Sequence, residues 1–277
     1  MSLKRIRTIA AAALAATFIA PATAQALEPP TPQSFIHNCA PKQVVVAPGG
    51  ANTNPVMPDN LPIGHITADI GIQLGNRADT DVTYVPYQSY GFAATSYPQA
   101  SADGYTKESH TIARIQNDCP NSRISLVGYS LGADVSARII NDAAHGKGAL
   151  DPSRFASAAL YANPYQGGNG AAQYPAKPDV NTGSLGQLNG GFGNLGGKVL
   201  EVCHSDDAVC NYPKKYRKLA EASMNIDMLH GKFPPSVARE LTHYNPKDYY
   251  TLIRGFLLHN AYGGGDSAAG VQWVNNH

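Results

Sequence analysis

Charge is scarce in this 277-residue chain: 15% of its residues are charged and the formal net charge is +1. An average soluble domain carries roughly 25% charged residues. Without a basic or acidic excess, the chain lacks the electrostatic footprint of a protein that binds nucleic acid, an acidic partner or an anionic membrane surface. The composition therefore gives no support to any of these three partners.

Long hydrophobic runs are also lacking, because no stretch reaches the roughly 18 apolar residues that a membrane-spanning helix needs. The N-terminal apolar stretch from Ile9 to Ala20 is shorter, and it follows the positive charges of Lys4, Arg5 and Arg7. Small residues suited to cleavage follow at 22–24 and 24–26, which is the pattern of a secretory signal peptide. We expect residues 1–26 to be removed and the mature protein to be soluble, monomeric, and secreted or held in the cell envelope.

The four cysteines, Cys39, Cys119, Cys203 and Cys210, form an even set. In an exported protein such a set favours disulfides over metal binding, and four cysteines allow three pairings. Cys203 and Cys210 are close in sequence, which favours a local clip and leaves Cys39 to pair with Cys119. The histidines His37, His65, His110 and His145 show no metal-ligand spacing, so we expect no metal and no organic cofactor.

Buried-strand patterns alternate with helical patterns along the chain. Strands are predicted at 43–47, 81–86, 123–129, 155–161 and 198–202, and helices at 61–75, 103–117, 131–144, 212–228 and 245–258. This order predicts an α/β fold with a mostly parallel central sheet flanked by helices in three layers. The glycine-rich and asparagine-rich segment 166–197 is expected to be a long functional loop, and residues 261–277 a flexible tail.

The segment Gly128-Tyr129-Ser130-Leu131-Gly132 lies between a predicted strand and a predicted helix. Gly-x-Ser-x-Gly in that context is the nucleophile-elbow pattern, in which the glycines permit a tight turn and the turn exposes the serine hydroxyl. Ser130 is therefore the candidate nucleophile.

A serine nucleophile needs an imidazole to take its proton and a carboxylate to orient that imidazole. In elbow folds the acid and then the base follow the serine along the chain. Asp206 and Asp207 lie in the Cys203–Cys210 loop, and we expect one of them to face the site. His243, in a turn before the last predicted helix, is the preferred base, with His230 as the alternative. His204 is set aside because it lies in the loop of the acid, and His259 because it is expected to lie deep in the last helix.

These residues resemble the cutinase family of serine esterases, in particular the cutinase-like proteins of mycolic-acid bacteria. The resemblance extends from Cys39 to about Leu258. It is carried by the early cysteine, Cys119-Pro120, the elbow followed by Ala133, Gly191-Phe192-Gly193, and the clip ending in Asp207-Ala208-Val209-Cys210. It implies a small α/β-hydrolase domain over 27–260, a triad of Ser130, Asp207 and His243, and disulfides Cys39–Cys119 and Cys203–Cys210.

The resemblance also implies an oxyanion hole that includes the backbone N–H of Leu131 and a residue in the loop after the first strand. This chain departs from the family there: Leu131 replaces the usual glutamine, and Gly50 stands where relatives commonly carry a hydroxyl side chain. Gly50 would supply only its backbone N–H. Asp134, one turn into the elbow helix, is expected to be structural.

The function implied is hydrolysis of lipid-like or polyester carboxylic esters through an acyl-enzyme, with a small-molecule ester, a triglyceride or an envelope glycolipid as substrate. Two alternatives remain at this point. One is an acyltransferase that uses the same triad on envelope glycolipids, and the other is a catalytically weak envelope-binding homologue.

Overall fold

The computed structural model describes residues 38–175 and 182–277. Its sheet contains six strands in the order β2-β1-β3-β4-β6-β5, and every neighbouring pair is parallel. The strands are β1 Lys42–Ala47, β2 Thr80–Tyr84, β3 Arg123–Tyr129, β4 Phe155–Tyr161, β5 Ala172–Tyr174 and β6 Val199–Val202. The α/β fold with a parallel sheet is confirmed. The short edge strand β5 lies within a segment that was predicted to be a loop.

The helices are α1 His65–Gly75, α2 Tyr97–Asp118, α3 Leu131–Ala144, α4 Arg217–Ser223, α5 Pro235–Leu241, α6 Pro246–Leu258 and α7 Gly264–Asn276, with short 3₁₀ helices at Gly193–Lys198 and Lys214–Tyr216. The helix predicted over 212–228 is wrong in its length. Its middle part alone is α-helical, and residues 224–234 form turns with isolated β-bridges from Asp227 to Phe92 and Lys232 before α5.

Strand β1 shows how the sheet builds its two cores. Val45 packs into one cluster with Ile112 of α2 and Val135 of α3, whereas Val44 and Val46 pack into a second cluster with Ile70 of α1. Side chains alternate between the faces of a strand, so a continuous valine run satisfies both layers at once. The result is a three-layer arrangement of helices, sheet and helices.

The C-terminal segment is a helix rather than the flexible tail predicted for 261–277. In α7, Val274 is fully buried and Gly270 lies where a Cβ would come within 1.9 Å of the Tyr161 hydroxyl. The Lys42 ammonium donates to the carbonyl of Val274 at 2.6 Å. The small side chain at position 270 lets α7 approach β4 closely, and this contact fixes the end of the chain on the sheet.

Two disulfides join Cys39 to Cys119 and Cys203 to Cys210, which confirms both predicted pairings. The first joins the start of β1 to the end of α2. The second closes the short loop after β6 that carries Asp206 and Asp207. Over the described ranges 38–175 and 182–277, no helix has the length and apolarity needed to cross a membrane.

Residues 213–258, which contain α4, α5 and α6, form a separate layer over the carboxyl edge of the sheet; we call this segment the cap. It has its own apolar cluster, in which Leu219 of α4, Val237 of α5 and Leu252 of α6 meet Tyr212 and Tyr216. Since the carboxyl ends of parallel strands are where open α/β sheets bind ligands, the cap covers the edge at which a site is expected.

Candidate active site

Ser130 stands alone between the end of β3 and the start of α3, with φ 55° and ψ −116°. Positive φ is unfavourable for a residue with a side chain and is retained where surrounding contacts enforce it. A Cβ on Gly128 would lie 2.7 Å from Cα of Ala133, and one on Gly132 would lie 2.0 Å from the carbonyl oxygen of Ala47. Both glycines are therefore required for the turn that presents the Ser130 hydroxyl.

Three side chains from different segments meet at this turn. The Ser130 Oγ lies 2.8 Å from Nε2 of His259, and Nδ1 of the same imidazole lies 3.0 and 3.1 Å from the two carboxylate oxygens of Asp207. Ser130 comes from the elbow, Asp207 from the Cys203–Cys210 loop, and His259 from the C-terminal end of α6. This arrangement matches the hydrogen-bonded series of nucleophile, base and acid that activates a serine, and it makes these three residues the candidate triad.

Asp207 is fully buried, and its carboxylate has two donors besides His259. The Val209 N–H donates to Oδ1 at 2.7 Å and the Tyr262 hydroxyl donates to Oδ2 at 2.7 Å. Burial alone would raise the pKa of Asp207, but the charge of His259 and these hydrogen bonds outweigh it and hold the pKa below its ordinary value. The carboxylate is thus ionised and able to orient the imidazole at neutral pH.

Tyr129, the residue before Ser130, contacts His259 through both its ring and its hydroxyl group. Its ring stacks on the imidazole with centroids 5.2 Å apart, and its hydroxyl donates to the His259 carbonyl at 2.7 Å. The elbow strand therefore positions His259 as well as Ser130.

The structure does not bring the predicted base His243 to the site. It lies at the end of α5 with its side chain 60% exposed and its Nδ1 3.5 Å from Glu240. The alternative, His230, pairs with Asp227 in the cap at 2.8 Å. The assignment of His243 is therefore corrected to His259. The α6 helix ends at Leu258, so His259 stands at its C-cap and faces the elbow.

Of the two acidic candidates in the clip, Asp206 points away from the elbow and pairs with Arg254 at 2.8 Å on an exposed surface. Asp134 is buried in a network of its own, in which it accepts from Tyr97, Ser101 and Arg138 at 2.9, 2.7 and 2.7 Å. These contacts tie α3 to α2 behind the elbow.

A cleft with an interior cavity of about 170 Å³ opens at Ser130 and His259 and runs beneath the cap. Its walls are mostly apolar. One wall comes from the loop after β2, and the other comes from the cap. The lining residues include Gly50, Phe92, Leu131, Met224 and Phe233. An apolar pocket with a few convergent polar groups is the usual form of a small-molecule site.

The family model for cutinase matches residues 38–220. The chain belongs to the cutinase family. Among curated relatives, the carboxylesterase Culp6 homolog of Corynebacterium glutamicum is 24% identical over 70% of this chain and 71% of that protein. Cutinase cut1 of Trichoderma harzianum is 26% identical over 46% of this chain and 44% of that protein. The chain is accordingly a serine carboxylester hydrolase.

Two solved structures share the cutinase-like fold. The catalytic core domain of acetyl xylan esterase from Trichoderma reesei superposes with a TM-score of 0.57 at 15% identity, covering 86% of this chain and 99% of that one. Lysin B from Mycobacteriophage D29 gives 0.56 at 14% identity, covering 85% and 100%. At these identities the comparison concerns the fold. The family match ends at residue 220, so His259 and most of the cap lie beyond it.

In this cutinase-family site, both predicted oxyanion residues line the cleft next to Ser130. Leu131 is the first residue of α3, where backbone N–H groups have no partner within the helix and the helix dipole is positive. Gly50 lies in the turn after β1. A Cβ atom added to it would lie 3.6 Å from the carbonyl oxygen of Ser89, which is an ordinary van der Waals contact. Position 50 can therefore accept a side chain without a clash.

Replacing Gly50 with serine is expected to raise kcat on p-nitrophenyl butyrate about tenfold. A hydroxyl at this position would add a donor for the oxyanion, and single donors of this kind are worth about 10²-fold or more when they are optimally placed. The control is Gly50→Ala, which adds the Cβ without the hydroxyl and should leave kcat within about twofold. Equal rates for the two variants would show that position 50 does not face the oxyanion.

Proposed function

We propose that this protein is an exported esterase that hydrolyses carboxylic esters of lipid-like acyl groups through an acyl-enzyme on Ser130. The observation that carries the proposal is the continuous hydrogen-bonded series from the Ser130 hydroxyl through His259 to the buried Asp207, at the end of an apolar cleft. A series assembled from three distant segments favours catalysis over a role in binding alone.

In the proposed reaction, Ser130 Oγ attacks the ester carbonyl carbon while Nε2 of His259 takes the hydroxyl proton. The carbonyl oxygen becomes an oxyanion that accepts hydrogen bonds from the N–H groups of Leu131 and Gly50. The tetrahedral intermediate collapses, the alcohol leaves with the proton from His259, and the acyl group remains on Ser130. A water molecule then repeats the sequence and releases the carboxylic acid, while Asp207 stabilises the imidazolium in both halves.

The acyl group is assigned from the walls of the cleft. A polar acid or sugar would leave its hydroxyl groups unpaired against Phe92, Met224 and Phe233, which costs free energy. An alkyl chain would instead gain about 0.8 kcal/mol for each methylene that it buries. A fatty acyl ester, a triglyceride or the acyl ester of an envelope glycolipid has the required chemistry.

A tryptophan in place of Met224 should shorten the acyl chains that the enzyme accepts. Met224 is half-buried in the cap and lines the cleft, so a larger ring would fill space that a long chain needs. We expect kcat/KM for p-nitrophenyl dodecanoate to fall at least tenfold, the equivalent of about two methylenes, with the acetate ester changed less than about twofold. The control Met224→Ala should spare the long chain, and a uniform loss across chain lengths would contradict this assignment.

Export is proposed from the N-terminal sequence, which lies outside the described residues, together with the two disulfides. Disulfides persist in oxidising compartments outside the cytosol. We propose secretion or retention in the cell envelope.

The proposal is tested by trapping the intermediate. Rapid acid quenching of the protein with p-nitrophenyl butyrate, followed by peptide mass spectrometry, should place a single butyryl group on the peptide containing Ser130. A butyryl group on another residue, or none during turnover, would refute it.

Adding a trehalose or arabinan acceptor separates the reaction types: free acid as the main product supports hydrolysis, and acylated sugar as the main product would reassign the enzyme as an acyltransferase.

A further inference from the structure

Tyr262 donates a hydrogen bond to Asp207 but takes part in no step of the proposed reaction. This residue lies three positions after His259, between α6 and α7, and it is 3% exposed. Its hydroxyl is 2.7 Å from Oδ2 of Asp207. With the proposed function as its basis, we propose that Tyr262 is a positioning residue that fixes the Asp207 carboxylate and moderates its charge.

The direction of this hydrogen bond follows from the partners of the hydroxyl. The backbone N–H of His204 donates to the Tyr262 oxygen at 3.3 Å, and Sγ of Cys210, at 3.4 Å, belongs to a disulfide and has no proton. The single hydroxyl proton therefore points to Asp207. Burial and the neighbouring carboxylate also raise the pKa of Tyr262 well above its ordinary value, so this proton is retained.

Besides His259, each oxygen of the Asp207 carboxylate has one hydrogen-bond donor. Val209 N–H occupies Oδ1 and Tyr262 occupies Oδ2, while Nδ1 of His259 bridges both oxygens. A carboxylate held on both oxygens cannot rotate about its Cβ–Cγ bond without breaking one of these bonds. Tyr262 thereby fixes the plane of the Asp207 carboxylate, and this plane sets the orientation in which the His259 imidazole faces Ser130.

Tyr262 is itself fixed by a second histidine–carboxylate pair. The His204 ring stacks on it with centroids 4.3 Å apart, and Nε2 of His204 lies 3.0 Å from Oδ1 of Asp266. Asp266 also accepts the Gly263 N–H at 2.9 Å at the start of α7. The C-terminal helix thus supports the site through Tyr262.

The groups that face Tyr262 set the expected pH dependence. They are Asp207, His204 with its partner Asp266, and the rings of Tyr129 and Tyr161 at 6.0 and 6.3 Å. Removing the hydroxyl deletes a donor to Asp207 and an acceptor of the His204 N–H, and the lost donor is the change that acts on the carboxylate. The carboxylate then carries more uncompensated charge and favours the protonated imidazolium of His259 more strongly, so the acid limb of the kcat/KM profile should move to higher pH.

The experiment compares Tyr262→Phe with Tyr161→Phe, using p-nitrophenyl butyrate from pH 4 to 9 and thermal unfolding. Tyr161 is a matched control because it is a buried tyrosine in the same cluster whose hydroxyl donates to the Asp266 carbonyl at 2.9 Å rather than to Asp207. For Tyr262→Phe we expect kcat to fall about tenfold with KM nearly unchanged, and the acid limb to rise by about half a pH unit or more. Tyr161→Phe should lose thermal stability without moving the limb.

A double-mutant cycle with Asp207→Asn provides the second test. In the Asp207→Asn background the hydroxyl has lost its carboxylate, so adding Tyr262→Phe should change kcat by less than about twofold. An unmoved acid limb in Tyr262→Phe, or a full additional loss in the double variant, would overturn the positioning role. Failure of the proposed function is separately visible, since Ser130→Ala would then retain activity.

Discussion

Replacing His259 with alanine is expected to lower kcat on p-nitrophenyl butyrate by about 10⁴-fold to 10⁶-fold, the range seen when a serine hydrolase loses its base. Without the imidazole, the Ser130 hydroxyl has no acceptor for its proton within hydrogen-bond distance along the observed series. KM should change little because the apolar walls of the cleft stay in place. Steady-state kinetics at pH 8 with the purified variant measure both parameters.

The matched variant is His243→Ala, which removes an exposed imidazole paired with Glu240. Its kcat should stay within about twofold of the unmodified protein, because exposed substitutions away from the site have small effects. A large loss in His243→Ala together with an active His259→Ala would reverse the assignment. Thermal unfolding of both variants separates loss of the base from loss of the fold.

The elbow that carries Ser130 was predictable from the sequence because its constraints are local. A buried strand, two glycines and a helix lie within a few residues of Ser130, and both close contacts that demand glycine involve the turn itself or the neighbouring strand β1. Strands β1, β3, β4 and β6 were equally visible, since each is a short and almost wholly buried run. The short edge strand β5 was missed, because it is only partly buried. The disulfides followed from the spacing of four cysteines.

The position of His259 beside Ser130 could not be predicted in this way because it depends on contacts between distant segments. His259 meets Ser130 through stacking on Tyr129 and through Asp207, and the cap of 46 residues separates the clip from the imidazole. A local signal was nonetheless present. The predicted helix ended at Leu258, so His259 already stood at its C-terminal boundary. The glycines at 263–265 allow the chain to change direction after the helix.

The last helix was missed because its glycines dominate the local pattern. Ser267, Gly270 and Val274 recur at helical spacing and are all buried in α7. Two of the three are small, which gives a weak hydrophobic signal. The reason for the small residues is seen only in the packing of α7 on β4, where the absence of a side chain at position 270 makes room for the Tyr161 ring.

The sequence did not predict that the cap is divided into the separate helices α4 and α5, because here too contacts with a distant segment decide the structure. Residues after Ser223 cross to the loop after β2, where the Met228 N–H donates to the Phe92 carbonyl at 3.0 Å and the Leu229 N–H to the Ala93 carbonyl at 2.8 Å. These backbone bonds to another segment replace helical ones. Helical propensity over 212–228 was thus overridden by pairing across the cleft.

The central claim is that Ser130 is the nucleophile of an ester hydrolase, and Ser130→Ala tests it most directly. The substitution removes only Oγ and leaves the backbone N–H of Leu131, the imidazole and the cleft in place. The oxyanion donors and substrate binding alone give roughly 10³-fold to 10⁴-fold acceleration over water, so a small residual rate is expected. Hydrolysis of p-nitrophenyl butyrate by the purified Ser130→Ala protein should fall by about 10⁴-fold or more, whereas a rate equal to that of the unmodified protein would contradict the claim.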